Sequence, residues 1–238
     1  FSIDENSLDD SRWHTGHDLQ RENYIKLIDQ VLKNPSLGVI FKPKQGKTLQ
    51  RRLGVDVYSQ LKKAIKTGRC HLYDSVGLQG HTTSAPPMLA ALSADVCIHG
   101  HMSGTAAIEC ALAGKPTLVI DREGVPFHKF YELLPKDRVI FHNWDDAITA
   151  SLEFFNSNKK NDDFGDWSSI ISNLDPFQDE KAAERIGRYL HSIFQGFEQG
   201  LDRDEAMLRA AEIYSKEWGL DKVIVNKDKT YSSKYMNW

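Results

Sequence analysis

Residues 95–121 read DVCIHGHMSGTAAIECALAGKPTLVID, and this stretch decides the fold. Two short apolar runs, VCI at 96–98 and TLVI at 117–120, flank a glycine-containing turn and a segment of helical length. Strands that are apolar without alternation suit a sheet buried on both faces. Parallel neighbours need a crossover of a dozen residues or more, usually a helix. The stretch therefore predicts a strand, a turn, a helix and a parallel strand.

The same rhythm extends in both directions. Upstream, FSI reads as the end of a strand. In LQRENYIKLIDQVLKN, Leu19, Tyr24, Leu27, Ile28, Val31 and Leu32 recur at helical spacing, with Asp18 as its N-cap. LGVIF follows Pro35 as a strand, a helix runs from about Val55 to Lys66, Gly68 stops it, and CHLYD is the next strand. MLAALSA is a short helix after a Gly-, Ser-, Thr- and His-rich loop. Downstream, VIFHNW is the last strand and DDAITASLEFF a helix capped by Asp145 or Asp146, with a polar surface loop from Asn156 to Asp166. Strands alternating with helices predict an α/β fold, a doubly wound, Rossmann-like, mostly parallel sheet of about five or six strands. This domain spans residues 1–175. Residues 176–222 are helical, with an apolar stripe through Ala182, Ala183, Ile186, Tyr189, Leu190, Ile193, Phe194 and Phe197. Residues 223–238 form a tail.

Composition narrows the function classes. Apolar content of 40% supports a packed core, and 30 basic against 33 acidic residues argues against a general nucleic-acid binder. No apolar run approaches the roughly 20 residues that span a bilayer. Three cysteines without CxxC spacing, Cys70, Cys97 and Cys110, read as buried free thiols suited to a reducing, cytoplasmic compartment.

In an open parallel sheet ligands bind beyond the carboxyl ends of the strands. Here the loops at those ends carry the chemistry. Gly100 and Gly104 permit tight turns and close backbone approach. Ser103 is the candidate N-cap of a helix opening near Thr105. Free N–H groups and the helix dipole suit phosphate at that end. Glu109 lies one turn beyond Thr105 on the same face and suits the vicinal hydroxyls of a ribose. Diphosphate above and ribose below together describe a nucleotide, while an exposed carboxylate and an ordinary cap remain the plainer reading.

SGTAAIECALAGKPTLVID resembles the donor-binding segment of GT-B glycosyltransferases, above all the lipid-A-disaccharide-synthase type with its SGT…LE…GxP pattern. It is also similar to bacterial surface-polysaccharide transferases and, more distantly, to nonhydrolysing nucleotide-sugar 2-epimerases. The resemblance covers residues 89–121 closely and residues 19–150 in element order. It implies that Ser103, Gly104 and Thr105 hold the donor diphosphate and that Glu109 holds the ribose. It also implies transfer of a sugar from a nucleotide-sugar to a glycan or lipid-linked acceptor, without a metal or other cofactor. The family carries its acceptor site and catalytic base on an N-terminal Rossmann-like domain, so a chain opening at Phe1 is expected to lack part of the machinery. A lipid acceptor would bring the full-length protein to the inner face of the membrane.

Other candidates surround this core. Lys42 and Lys44 straddle Pro43 after a strand and either neutralise phosphate or stand solvated. His99 and His101 flank the phosphate turn; an HxH pair alone is too small a ligand set for a metal. His81 suits a base or acceptor contact, Arg122 an anion, and His128 the sugar or base. His17 and His101 are candidates for the unassigned catalytic base. The rival readings are a 2-epimerase, a CDP-polyol phosphotransferase, and a noncatalytic relative that binds a partner through its late helices.

Overall fold

The computed structural model describes residues 2–3, 17–43, 46–73, 86–100, 102, 105–122, 124, 129–158 and 163–220. The chain divides into two compact units, Phe1–Pro176 and Phe177–Trp238. The expected 223–238 tail lies outside the described residues.

The first unit is mixed α/β with parallel strands. β2 (Val39–Lys42) pairs with β3 (Cys70–Leu72), and β4 (Cys97–His99), β5 (Thr117–Ile120) and β6 (Ile140–Phe141) pair in turn, every ladder parallel. A two-residue strand, β1 (Ser2–Ile3), is in parallel register with both β2 and β4. The intervening helices are α1 (His17–Lys33), α2 (Leu49–Lys66), α3 (Pro87–Ala91), α4 (Thr105–Leu112), α5 (Phe130–Leu133), α6 (Trp144–Asn156) and α7 (Ser168–Leu174).

All four residues of β5 are buried, and they alternate between two cores. Leu118 and Ile120 join Ile28, Leu61, Trp144 and Ile148 from α1, α2 and α6. Val119 joins Ala107 of α4 with Trp167 and Ile170 on the opposite face. This is the period-two alternation of an extended chain, and it explains why TLVI carries no polar position. Tyr24 of α1 stacks on Phe41 of β2, with ring centroids 4.3 Å apart.

Several local expectations change. α1 opens at His17, so Asp18 is not its cap; it sits in the first turn and pairs with Arg21. Neither Asp145 nor Asp146 caps α6. Asn143 does, in extended backbone, its Oδ1 accepting from the Asp146 N–H at 2.8 Å. The two aspartates occupy the first turn, where the helix dipole favours negative charge. α2 starts at Leu49 rather than near Val55 and is kinked at Gly54, whose φ of 76° is non-helical. The charged QRRL stretch hides this first segment, yet Leu49 and Arg52 are fully buried. The Arg52 guanidinium donates to Gln20 at 2.7 Å, and its carbonyl accepts from Arg21 Nε at 3.1 Å beside the kink.

The supposed surface loop 156–166 returns to the sheet at its far end. Phe164 is buried and stacks on Phe154. Gly165 donates to the Arg138 carbonyl at 2.8 Å and accepts from the Thr117 N–H at 3.0 Å. Trp167 Nε1 then donates to the Thr117 carbonyl at 2.8 Å and leads into α7. One glycine and two aromatic residues among polar ones made this docking strip look like solvent-facing chain.

All three cysteines are free and buried. Burial pushes the Cys70 thiol up to about 11. Cys97 and Cys110 hydrogen-bond each other, which holds the Cys110 thiol well above and the Cys97 thiol below the ordinary value.

The second unit consists of α8 (Ala182–Glu198) and α9 (Arg203–Trp218) with their flanks. Asp202 and Glu205 form a capping box: Asp202 accepts from the Glu205 N–H at 2.9 Å and Glu205 from the Asp202 N–H at 3.1 Å. Gly196 lets the helices approach, since a Cβ there would lie 2.8 Å from the Ala206 Cβ. The Arg185 guanidinium lies over the rings of both Phe177 and Trp218, which meet edge to face, and pairs with Asp179, whose carboxyl that pairing lowers. Much of the α8 stripe faces outward: Ile186 and Phe194 are 61% and 63% exposed. Among the described residues, no helix is long and apolar enough to cross a membrane.

Candidate functional site

The carboxyl ends of the central strands finish level. Ile3 pairs with Lys42 on one side and with His99 on the other. Lys42 and His99 are 3% and 1% exposed, so the solvated reading of Lys42 is wrong. Its ammonium donates to the Pro43 carbonyl at 3.1 Å. A charge held inside the protein at a strand end is held by polar partners, and the carbonyl is one of them.

Beyond β4, α4 begins at Thr105. Its inner face is Ala106, Ala107, Cys110 and Ala111, all buried. Thr105 is exposed and Glu109 half-buried, so the two lie one turn apart away from that inner face. Ser103, Gly104, His101, Lys44, His81 and His128 lie outside the described residues, as does the side chain of His17.

The turn after His99 packs against a residue that sequence reasoning missed. A Cβ at Gly100 would lie 2.7 Å from Asn23 Nδ2. Asn23 Oδ1 in turn accepts from Trp144 Nε1 at 2.8 Å and from Arg122 Nη2. Arg122 Nη1 donates to Glu22 at 2.9 Å. One side-chain amide thus ties together α1, the exit of β4, the exit of β5 and the first residue of α6. Two of the five Arg122 N–H donors are engaged in these bonds.

A second cluster sits at the end of β5. Asp121 is fully buried, and its carboxylate accepts from the Gly124 N–H at 3.1 Å and from the Tyr131 hydroxyl. His142 donates through Nδ1 to the Asp121 carbonyl at 3.1 Å and stacks on Tyr131. Burial, then the hydrogen bond to Asp121 and its negative charge, push the Tyr131 phenol well above its ordinary value. The fold therefore favours protonated Tyr131. That contribution is complete below about pH 10, the ordinary tyrosine value, and fades as pH climbs through the raised one. Tyr131→Phe is expected to lower stability at neutral pH and to flatten the alkaline decline. Urea midpoints measured up to about pH 11 check it, and parallel curves for the two proteins count against the assignment.

Sequence signals for these residues were faint. Arg122 stands out as the polar residue directly after a buried strand, whereas Asn23 sits in the long helix α1 and Asp121 and Tyr131, the latter in the one-turn α5, carry no local signal. Among the described residues, no group of three or more His, Cys, Asp or Glu is disposed to hold a metal ion.

Comparison of the chain with family models, with curated proteins and with solved structures returns no match.

Proposed function

We propose that the chain is the nucleotide-sugar-binding domain of a GT-B-type glycosyltransferase of bacterial surface-glycan synthesis. It would pass a sugar from a nucleotide-activated donor to a glycan or lipid-linked acceptor, together with an N-terminal Rossmann-like domain. In this reading Ser103, Gly104 and Thr105 cradle the diphosphate and Glu109 grips the ribose. His99, His101, Lys42 and Arg122 assist in offsetting charge on the leaving diphosphate, without a metal.

One observation carries the reading: exposed Thr105 and half-buried Glu109 stand one turn apart on α4, directly beyond the carboxyl end of β4. The finer fold assignment belongs to the same proposal. With Ser2–Ile3 joining the two parallel blocks, the order β3-β2-β1-β4-β5-β6 is that of a doubly wound dinucleotide-type sheet. Strand order then reverses between β1 and β4, beside the start of α4. The partner-binding alternative is supported by a different observation, the exposed Ile186, Leu190, Phe194 and Phe197 on α8.

Thermal shift against UDP, CMP, CDP and GDP tests the proposal first. A ligand at about 100 times its Kd should stabilise the fold by about 2.7 kcal/mol. Glu109→Ala is then expected to weaken nucleotide binding by more than about tenfold, or about 1.4 kcal/mol, while the fold survives. Equal calorimetric affinity for parent and variant removes the ribose role. Absence of any nucleotide response favours the partner-binding alternative.

A further inference from the structure

We infer that the groove between α8 and α9 binds a single neutral saccharide ring. A cavity of about 180 Å³ opens there, wholly within the second unit. Its floor is Ala210, which is buried and too small to fill the space above it. Aromatic rings form the sides: Tyr189 and Tyr214 meet edge to face with centroids 6.0 Å apart, and Tyr214 leans toward Trp218 at 6.5 Å. Arg188, His191, Ser192 and Glu217 make a polar rim. An apolar, aromatic interior with a few polar groups at its edge is the usual composition of a small-molecule site.

Size and charge select the ligand class. Sites for drug-sized ligands run to about 300–1,000 Å³, so the space inside this open groove suits a single ring. Arg188 is paired with Glu184 at 2.7 Å and with Glu217, so its positive charge is already met by carboxylates. The guanidinium groups of Arg185 and Arg188 already lie over Trp218, at 4.5 and 5.9 Å, which opposes a cationic guest. Glu184 and Glu217 oppose an anionic one. A pyranose meets the remaining requirements. Its axial C–H groups pack against the apolar and aromatic lining supplied by Tyr189, Ile213 and Tyr214. Its hydroxyls both donate and accept, matching a carboxylate, a guanidinium, an imidazole and a hydroxyl at the rim. Ser192 donates to the Arg188 carbonyl at 3.0 Å, which leaves its lone pairs to accept from such a ligand.

The inference stands apart from the nucleotide reading, because every residue in it belongs to the second unit. The test titrates the full chain with methyl glycosides of glucose, galactose, mannose and N-acetylglucosamine, following the Trp218 indole N–H by NMR. At least one glycoside is expected to shift that signal saturably, with millimolar affinity. Tyr214→Ala should weaken this binding by about tenfold or more. Ser192→Tyr fills the groove from its rim without removing a ring, and should abolish the shift even if the alanine variant proves unstable. No response to any glycoside, unchanged affinity in Ser192→Tyr, or an equal response to tetramethylammonium overturns the inference. Nucleotide affinity, read separately through the Glu109 variant, is unaffected by any of these results.

Discussion

Gly165→Ala is expected to destabilise the first unit by about 3 kcal/mol, from adding a left-handed backbone cost of about 1–2 to an overpacking cost of about 1–3. The methyl group would lie 2.6 Å from the Thr117 amide nitrogen and 2.8 Å from the Pro116 backbone, with φ at 65°. Backbone atoms at the head of a buried strand cannot swing aside as a side-chain tip can. Any retreat would also stretch the hydrogen bonds that Gly165 makes to Thr117 and Arg138. Gly124 supplies the control, since it has the same φ of 65° and, among the described residues, nothing within 4 Å of its would-be Cβ. Gly124→Ala should show the conformational cost alone. Equal urea midpoints for the two variants would remove the close approach at Gly165 from the account.

The second large effect belongs to the turn beside α4. Gly100→Ala drives a methyl group to 2.7 Å from Asn23 Nδ2. An amide at the end of a free side chain would rotate away. Here Asn23 is held by donors from Trp144 and Arg122, so the expected loss is about 1–3 kcal/mol. Asn23→Ala is destabilising by itself, because it strands the Trp144 indole N–H. In the double variant the two losses should not add, since removing the amide makes room for the methyl group. A double-mutant cycle by chemical denaturation measures that coupling, and strictly additive losses would mean that Asn23 does not brace this turn.

What the sequence disclosed follows from which interactions are local. Apolar runs such as TLVI and the helical spacing of Tyr24, Leu27, Ile28 and Val31 placed strands and helices, because burial of each depends on its own period. Cap assignment failed where neighbours shared the same chemistry. Asn143, Asp145 and Asp146 all favour helix starts, and backbone geometry alone chose the first. For Lys42 a solvated and a phosphate-neutralising reading stay equally open in the sequence, because burial of a strand-end charge is decided by what packs over it. Asn23 and Arg122 lie far apart in the chain, so nothing local marks their contact. Thr105 and Glu109 could be paired from spacing alone, since a helix fixes that relation whatever surrounds it.

The buried sulfurs have a practical corollary. Cys70 belongs to the core shared by β2, β3, α1 and α2, while Cys97 and Cys110 form a separate small cluster with α3. A maleimide or aromatic disulfide reaches neither place until the chain locally opens, so alkylation times become a gauge of breathing motions. Matching protection at both places would mean that the strands part as one body. Earlier modification of Cys70 would reveal that the β2–β3 side loosens first, a map of internal strength obtained without introducing any probe.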